Sequence, residues 1–137
     1  MTTLQNLNEG GAAIQGYDPV SYFQGNPAKG DENISTEYKG ASYYFTNASN
    51  KSMFDAAPEK YVPQYGGFCA VAISEGKTFP IDPNTYIVDD DKLYLFYNGS
   101  LGNTKTQWEE DPATRKVNAD NYWQNGDITV IYPTVAY

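Results

Sequence analysis

Tyr86-Ile-Val-Asp-Asp-Asp-Lys-Leu-Tyr-Leu-Phe-Tyr97 decides the fold class of this chain. Its Ile/Val arm and its Leu/Tyr/Leu/Phe arm flank an acidic run, which predicts an antiparallel hairpin turning at Asp89–Asp91. Upstream, Thr36-Glu-Tyr-Lys-Gly-Ala-Ser-Tyr-Tyr-Phe-Thr46 predicts a second hairpin with Lys39-Gly40 at its turn. Short helical signals surround the two. Asp18 is placed to cap a helical turn that starts at Pro19. The stretch 49–57 reads as a helix closed by Pro58, with Met53, Phe54 and Ala57 on its buried face. Phe68–Ser74 is apolar and short, and suits a buried helix or a buried strand. The stretch 103–121 reads as helical and broken at Pro112, with Tyr122 and Trp123 packing it down. Asp127–Tyr132 is rich in β-branched residues and predicts a last strand, ended by Pro133. The fold class is therefore α+β, a single compact domain of antiparallel β-hairpins covered by short helices. Residues 1–11 read as a flexible N-terminal segment, 12–124 as the domain, and 125–137 as an extension carrying an added strand. No internal repeat or low-complexity tract is visible.

At 137 residues the chain suits one domain, and its 40% hydrophobic content is enough to bury a core. The formal charge is −8, with no Lys/Arg cluster to neutralise phosphates, so nucleic acid is not expected as a partner. No apolar run approaches the roughly 20 residues of a membrane helix, so a soluble chain without membrane insertion is expected. The N-terminus as given has neither a basic start nor an apolar core of a signal peptide, and no compartment follows from it.

Chemistry is bounded by what is scarce: one cysteine and no histidine. Cys69 sits in Tyr61-Val-Pro-Gln-Tyr-Gly-Gly-Phe-Cys-Ala70, behind Gly66-Gly67 and beside Tyr61 and Tyr65. As a nucleophile it lacks a histidine to draw out the thiolate. As a zinc ligand it supplies one of the four Cys/His donors that a structural site needs, and copper(I) would find only Met1 and Met53 as further soft donors. As a small free cysteine it would simply pack in the core. The tyrosines near it, with Tyr86, Tyr94 and Tyr97, could line a small-molecule pocket or fill an aromatic core. Asp89–Asp91 lacks the alternating spacing, glycine and closing glutamate of a calcium loop and reads as a solvated turn. At least one of Gly66 and Gly67 is expected to adopt φ > 0 or to let two backbones meet closely.

In order and spacing, Gly16-Tyr-Asp-Pro-Val-Ser-Tyr-Phe23, Tyr38-Lys-Gly-Ala-Ser-Tyr-Tyr-Phe45 and Phe54-Asp-Ala-Ala-Pro-Glu-Lys-Tyr-Val-Pro-Gln-Tyr-Gly-Gly-Phe-Cys-Ala70 resemble the YHS domain family. Ile81-Asp-Pro83, Lys92–Asn98, Trp108, Ala119-Asp120 and Trp123 extend the resemblance over residues 12–123. It implies a non-enzymatic binding or accessory module linked to metal-associated TRASH-type modules and to heavy-metal and copper transporters. Many stand-alone members carry export leaders. On that reading Cys69, with Tyr65 and Tyr61, is the candidate ligand set, copper or another heavy metal is the candidate cofactor, and a protein partner or second copy would complete the site. Metal-binding relatives use several cysteines or histidines, whereas this chain keeps Cys69 alone, so no metal is expected to bind the monomer tightly. A tyrosine-lined pocket around Cys69 is the alternative, and a thiol-dependent enzyme the third.

Overall fold

The computed structural model describes residues 3–131. Two long hairpins form its frame: β1 (Asp31–Tyr38) with β2 (Ala41–Phe45), and β3 (Asp82–Asp89) with β4 (Lys92–Phe96). A small third hairpin pairs β5 (Asn98–Gly99) with β6 (Gly102–Asn103). Six helices lie among them: α1 (Pro19–Phe23), α2 (Ala48–Ala56), α3 (Pro58–Tyr61), α4 (Ala70–Ser74), α5 (Lys105–Glu110) and α6 (Pro112–Asn125). This is the α+β arrangement of hairpins and short helices expected from the sequence. Phe68–Ser74 resolves as the buried helix α4, and the break at Pro112 separates α5 from α6 as expected. Gly126 ends α6 in the left-handed region, with φ 68°. Among the described residues no helix is long and apolar enough to cross a membrane.

The chain draws the same backbone path twice. Three consecutive residues with positive φ, Ile14-Gln15-Gly16, recur 51 positions later as Tyr65-Gly66-Gly67. The five-residue helix α1 recurs as α4, followed by Gly25 and Gly76 at φ 77° and 78°. β1–β2 and β3–β4 share one register, pairing Asp31 with Phe45 and Asp82 with Phe96, each with a bulge after the first pair. Loop hydrogen bonds repeat as well: Asp18 N–H donates to Ala28 C=O as Cys69 N–H donates to Phe79 C=O. Parallel bridges join Ala12 to Ser42 and, in the second half, Pro63 to Leu93. After the insertion of β5–β6, Phe54 answers to Trp108. Phe54 packs on Tyr43 and Phe45 at 4.8 and 5.2 Å, and Trp108 on Tyr94 and Phe96 at 5.2 and 5.6 Å. The expectation of no internal repeat is thus overturned: the domain is a duplicated unit of some fifty residues.

Other expectations shift for local reasons. Asn47 caps α2 by accepting from Asn50 N–H, which turns Asn50 and Phe54 inward and leaves Met53 and Ala57 exposed. Residues 4–8, read as flexible, are instead laid across the second positive-φ turn. Asn6 N–H donates to Gly66 C=O at 2.8 Å, its side-chain amide donates to Gly67 C=O, and Leu7 is buried. In place of a final strand, the described residues 127–131 make one parallel bridge, Lys77 with Thr129. Tyr132 and the rest of that predicted strand lie outside the described residues.

Three parts depart from the duplication. These are the N-terminal strap at residues 4–8, the β5–β6 insertion, and α6, which runs 14 residues where its counterpart α3 runs four.

Candidate functional site

Cys69 occupies the residue before α4, the place that Asp18 holds before α1. Asp18 is fully buried, and its carboxyl oxygens accept from Val20 N–H, Ser21 N–H, Thr46 N–H, the Thr46 hydroxyl and the Asn50 amide. The second half keeps this tie with different atoms. Cys69 Sγ lies 3.3 Å from Oγ1 of Thr104, the residue that stands where Asn50 does. Thr104 spends its own hydroxyl proton on Tyr97 C=O at 2.8 Å, so the thiol is the donor to Thr104. Only 1% of Cys69 is exposed. Both residues therefore fasten the start of a short helix to the start of the next one.

This arrangement does not fit the metal chemistry implied by the family resemblance. The one soft ligand is sealed and engaged as a proton donor. Among the described residues no group of three or more His, Cys, Asp or Glu side chains converges on a point where an ion could sit. A partner chain could not complete a site on Cys69 without opening the core around it.

The other predicted site residues separate. Tyr61 is buried among aromatic rings, edge-on to Phe23 at 5.2 Å and near Phe54 at 6.5 Å, and lines neither of the two hollows described below. Tyr65 points the other way, toward Tyr94 and Trp123, and its hydroxyl donates to Asp120 Oδ1 at 2.7 Å. Burial first, then the Asp120 hydrogen bond, pushes the Tyr65 hydroxyl far above its usual range, so it stays a donor. Gly66 and Gly67 carry φ 64° and 82°, as the turn demands. At Gly66 a β-carbon would stand 2.3 Å from Leu4 C=O and 2.9 Å from the Trp123 ring. The glycine is what lets the strap and α6 close over the turn.

Above this turn lies a cleft of about 510 Å³. It is lined by Tyr65 and Gly66 of the turn, by Tyr38 and Tyr43 of the first hairpin, and by Asp120 and Trp123 of α6. Thr3, Leu4 and Gln5 of the N-terminal segment close one side. Lys39 and Glu59 stand at the rim, ion-paired at 2.7 Å, and the Tyr38 hydroxyl also donates to Glu59. The Lys39 ammonium and the Tyr38 hydroxyl hold the Glu59 carboxyl below the usual carboxylate range. The equivalent turn in the first half, Ile14–Gln15, lines a smaller hollow of about 350 Å³ with Asn6–Asn8, Pro80 and Ile81.

Of the residues named from the sequence, Tyr65 and Gly66 line the cleft, while Cys69, Tyr61 and Gly67 do not. Asp120 and Trp123 were not singled out as a site. One signal was available: they lie three positions apart, on neighbouring faces of a helix that buries Ala119. No family model, curated protein or solved structure matches the chain.

Proposed function

We propose that the protein is a non-enzymatic binding module of YHS type whose small-molecule ligand sits in the cleft over Tyr65. One observation carries the reading: the strap and α6, two of the parts that break the duplication, meet at this cleft. Duplicated elements shared by both halves serve as scaffold. Elements found on one side only need another reason, and here they build a concave, aromatic-lined space of ligand size. The cleft differs from the pocket expected around Cys69, because that thiol faces Thr104 and the core. Metal service, the other role implied by the resemblance, finds no group of three or more His, Cys, Asp or Glu side chains among the described residues to support it.

The test is a screen of chemically diverse small molecules against the isotope-labelled chain, read by amide and indole chemical shifts. Saturable shifts grouped at Gly66, Asp120 and the Trp123 indole are expected for at least one compound class. Shifts that never localise there across the whole screen would overturn the proposal.

A further inference from the structure

We infer that the cleft selects an organic ammonium ion with an apolar body. This rests on the cleft being a ligand site and adds its chemical class. The charges at its edge do not cancel. Lys39 is taken up by Glu59, whereas Asp120 has no cation within ion-pair distance among the described residues. Among the described residues its hydrogen-bond partner is the Tyr65 hydroxyl, a neutral donor that burial keeps protonated. Asp120 is itself exposed, so a ligand can reach it.

Beside this carboxylate stand the rings of Tyr65 and Trp123, 6.1 Å apart, and Tyr38 and Tyr43 line the same cleft. Aromatic faces attract cations, and they do so more strongly where water is excluded. An anion would meet Asp120, Glu59 and a chain of net charge −8. A neutral apolar ligand would strip water from Asp120 and return nothing to it. A bare metal ion would find Asp120, a Glu59 already paired with Lys39, and no cluster of three or more ligands among the described residues. An alkyl or aryl ammonium satisfies each constraint: its body lies on the rings while its N–H groups donate to Asp120.

The experiment titrates the labelled full chain with phenethylammonium and, separately, with 2-phenylethanol at matched ionic strength. It is repeated on Asp120→Asn, a variant that still accepts from Tyr65. The expected result is saturable shifts at Gly66 and Trp123 with the amine at least about tenfold tighter than the alcohol. The variant should lose that preference. Equal binding of the two probes, a preference that survives in Asp120→Asn, or no binding of the amine would overturn the inference. The broader screen separates this failure from that of the binding reading. If neutral or anionic compounds fill the cleft, only the charge selection falls; if nothing fills it, both fall.

Discussion

Asp18 and Cys69 sit 51 positions apart in the chain and at one point of a doubled backbone, each tying the start of a short helix to the helix that follows the hairpin. The two ties differ in strength. Asp18 answers five buried or half-buried donors, and Cys69 makes one contact through a weak thiol donor.

Removing them should therefore cost unequal amounts. Asp18→Ala leaves its donors unanswered inside the core and should destabilise by about 3 kcal/mol or more. Asp18→Asn should lose part of that, because its amide would face the Asn50 and Thr46 donors. Cys69→Ala should cost about 1 kcal/mol. Urea denaturation of the three variants measures this. Equal losses at the two positions would contradict the unequal ties.

The thiol should behave as a sealed group. Mild oxidant should give monomer on non-reducing electrophoresis, and alkylation of the native protein should proceed only as fast as the fold opens. Protein dialysed against a mild chelator should carry well under one equivalent of zinc or copper. A dimer band abolished by Cys69→Ser, or a stoichiometric metal lost in that variant, would show that Cys69 is reachable.

Gly66 and Gly67 separate two kinds of constraint. Alanine at Gly67 meets Pro63 at 3.4 Å and Asn6 at 4.0 Å, both ordinary contacts, so its cost is the left-handed backbone, about 1 kcal/mol. Alanine at Gly66 adds a collision with Leu4 C=O and the Trp123 ring, so Gly66→Ala should melt well below Gly67→Ala. It should also shift Trp123 fluorescence. A Gly66→Ala variant as stable as the parent would mean that the strap does not close over this turn.

Alkali should unfold the protein through its tyrosines. Burial raises Tyr22, Tyr43 and Tyr65 well above the ordinary value of 10.0. The unfolded chain ionises these hydroxyls near pH 10 while the folded one keeps them protonated. The stability they contribute is whole below pH 10 and is lost as the pH climbs toward their folded values. Absorbance at tyrosinate wavelengths, followed with circular dichroism, should show an early phase for exposed tyrosines and a late phase that coincides with loss of structure. A single early phase with the dichroism unchanged would contradict this.

Much of the fold was legible because its signals are local. The acidic hairpin turn, the Asp18 cap and the Pro112 break each depend on a few adjacent residues, and each appears where the pattern placed it. The duplication was hidden because the side chains shared by the two halves are few and scattered, such as Val20 and Val71, Tyr43 and Tyr94, and Phe45 and Phe96. Ile14 and Tyr65, Asp18 and Cys69, and Tyr22 and Ile73 hold equivalent places with unlike chemistry. The cleft was hidden for another reason. Its lining draws on residues 3–5, 38, 39 and 43, 59, 62–66, 120, 123 and 124, which only tertiary packing brings together. Cys69 is the one cysteine of the chain, and scarcity says nothing about exposure.

The doubled backbone gives the molecule an internal reference. A substitution at Tyr65 can be compared with one at Ile14, where the same strained angles hold a different side chain without Asp120 above it. Subtracting the two effects cancels what the turn itself demands and leaves what the cleft demands. Few single chains allow conformation and environment to be measured apart without a second protein.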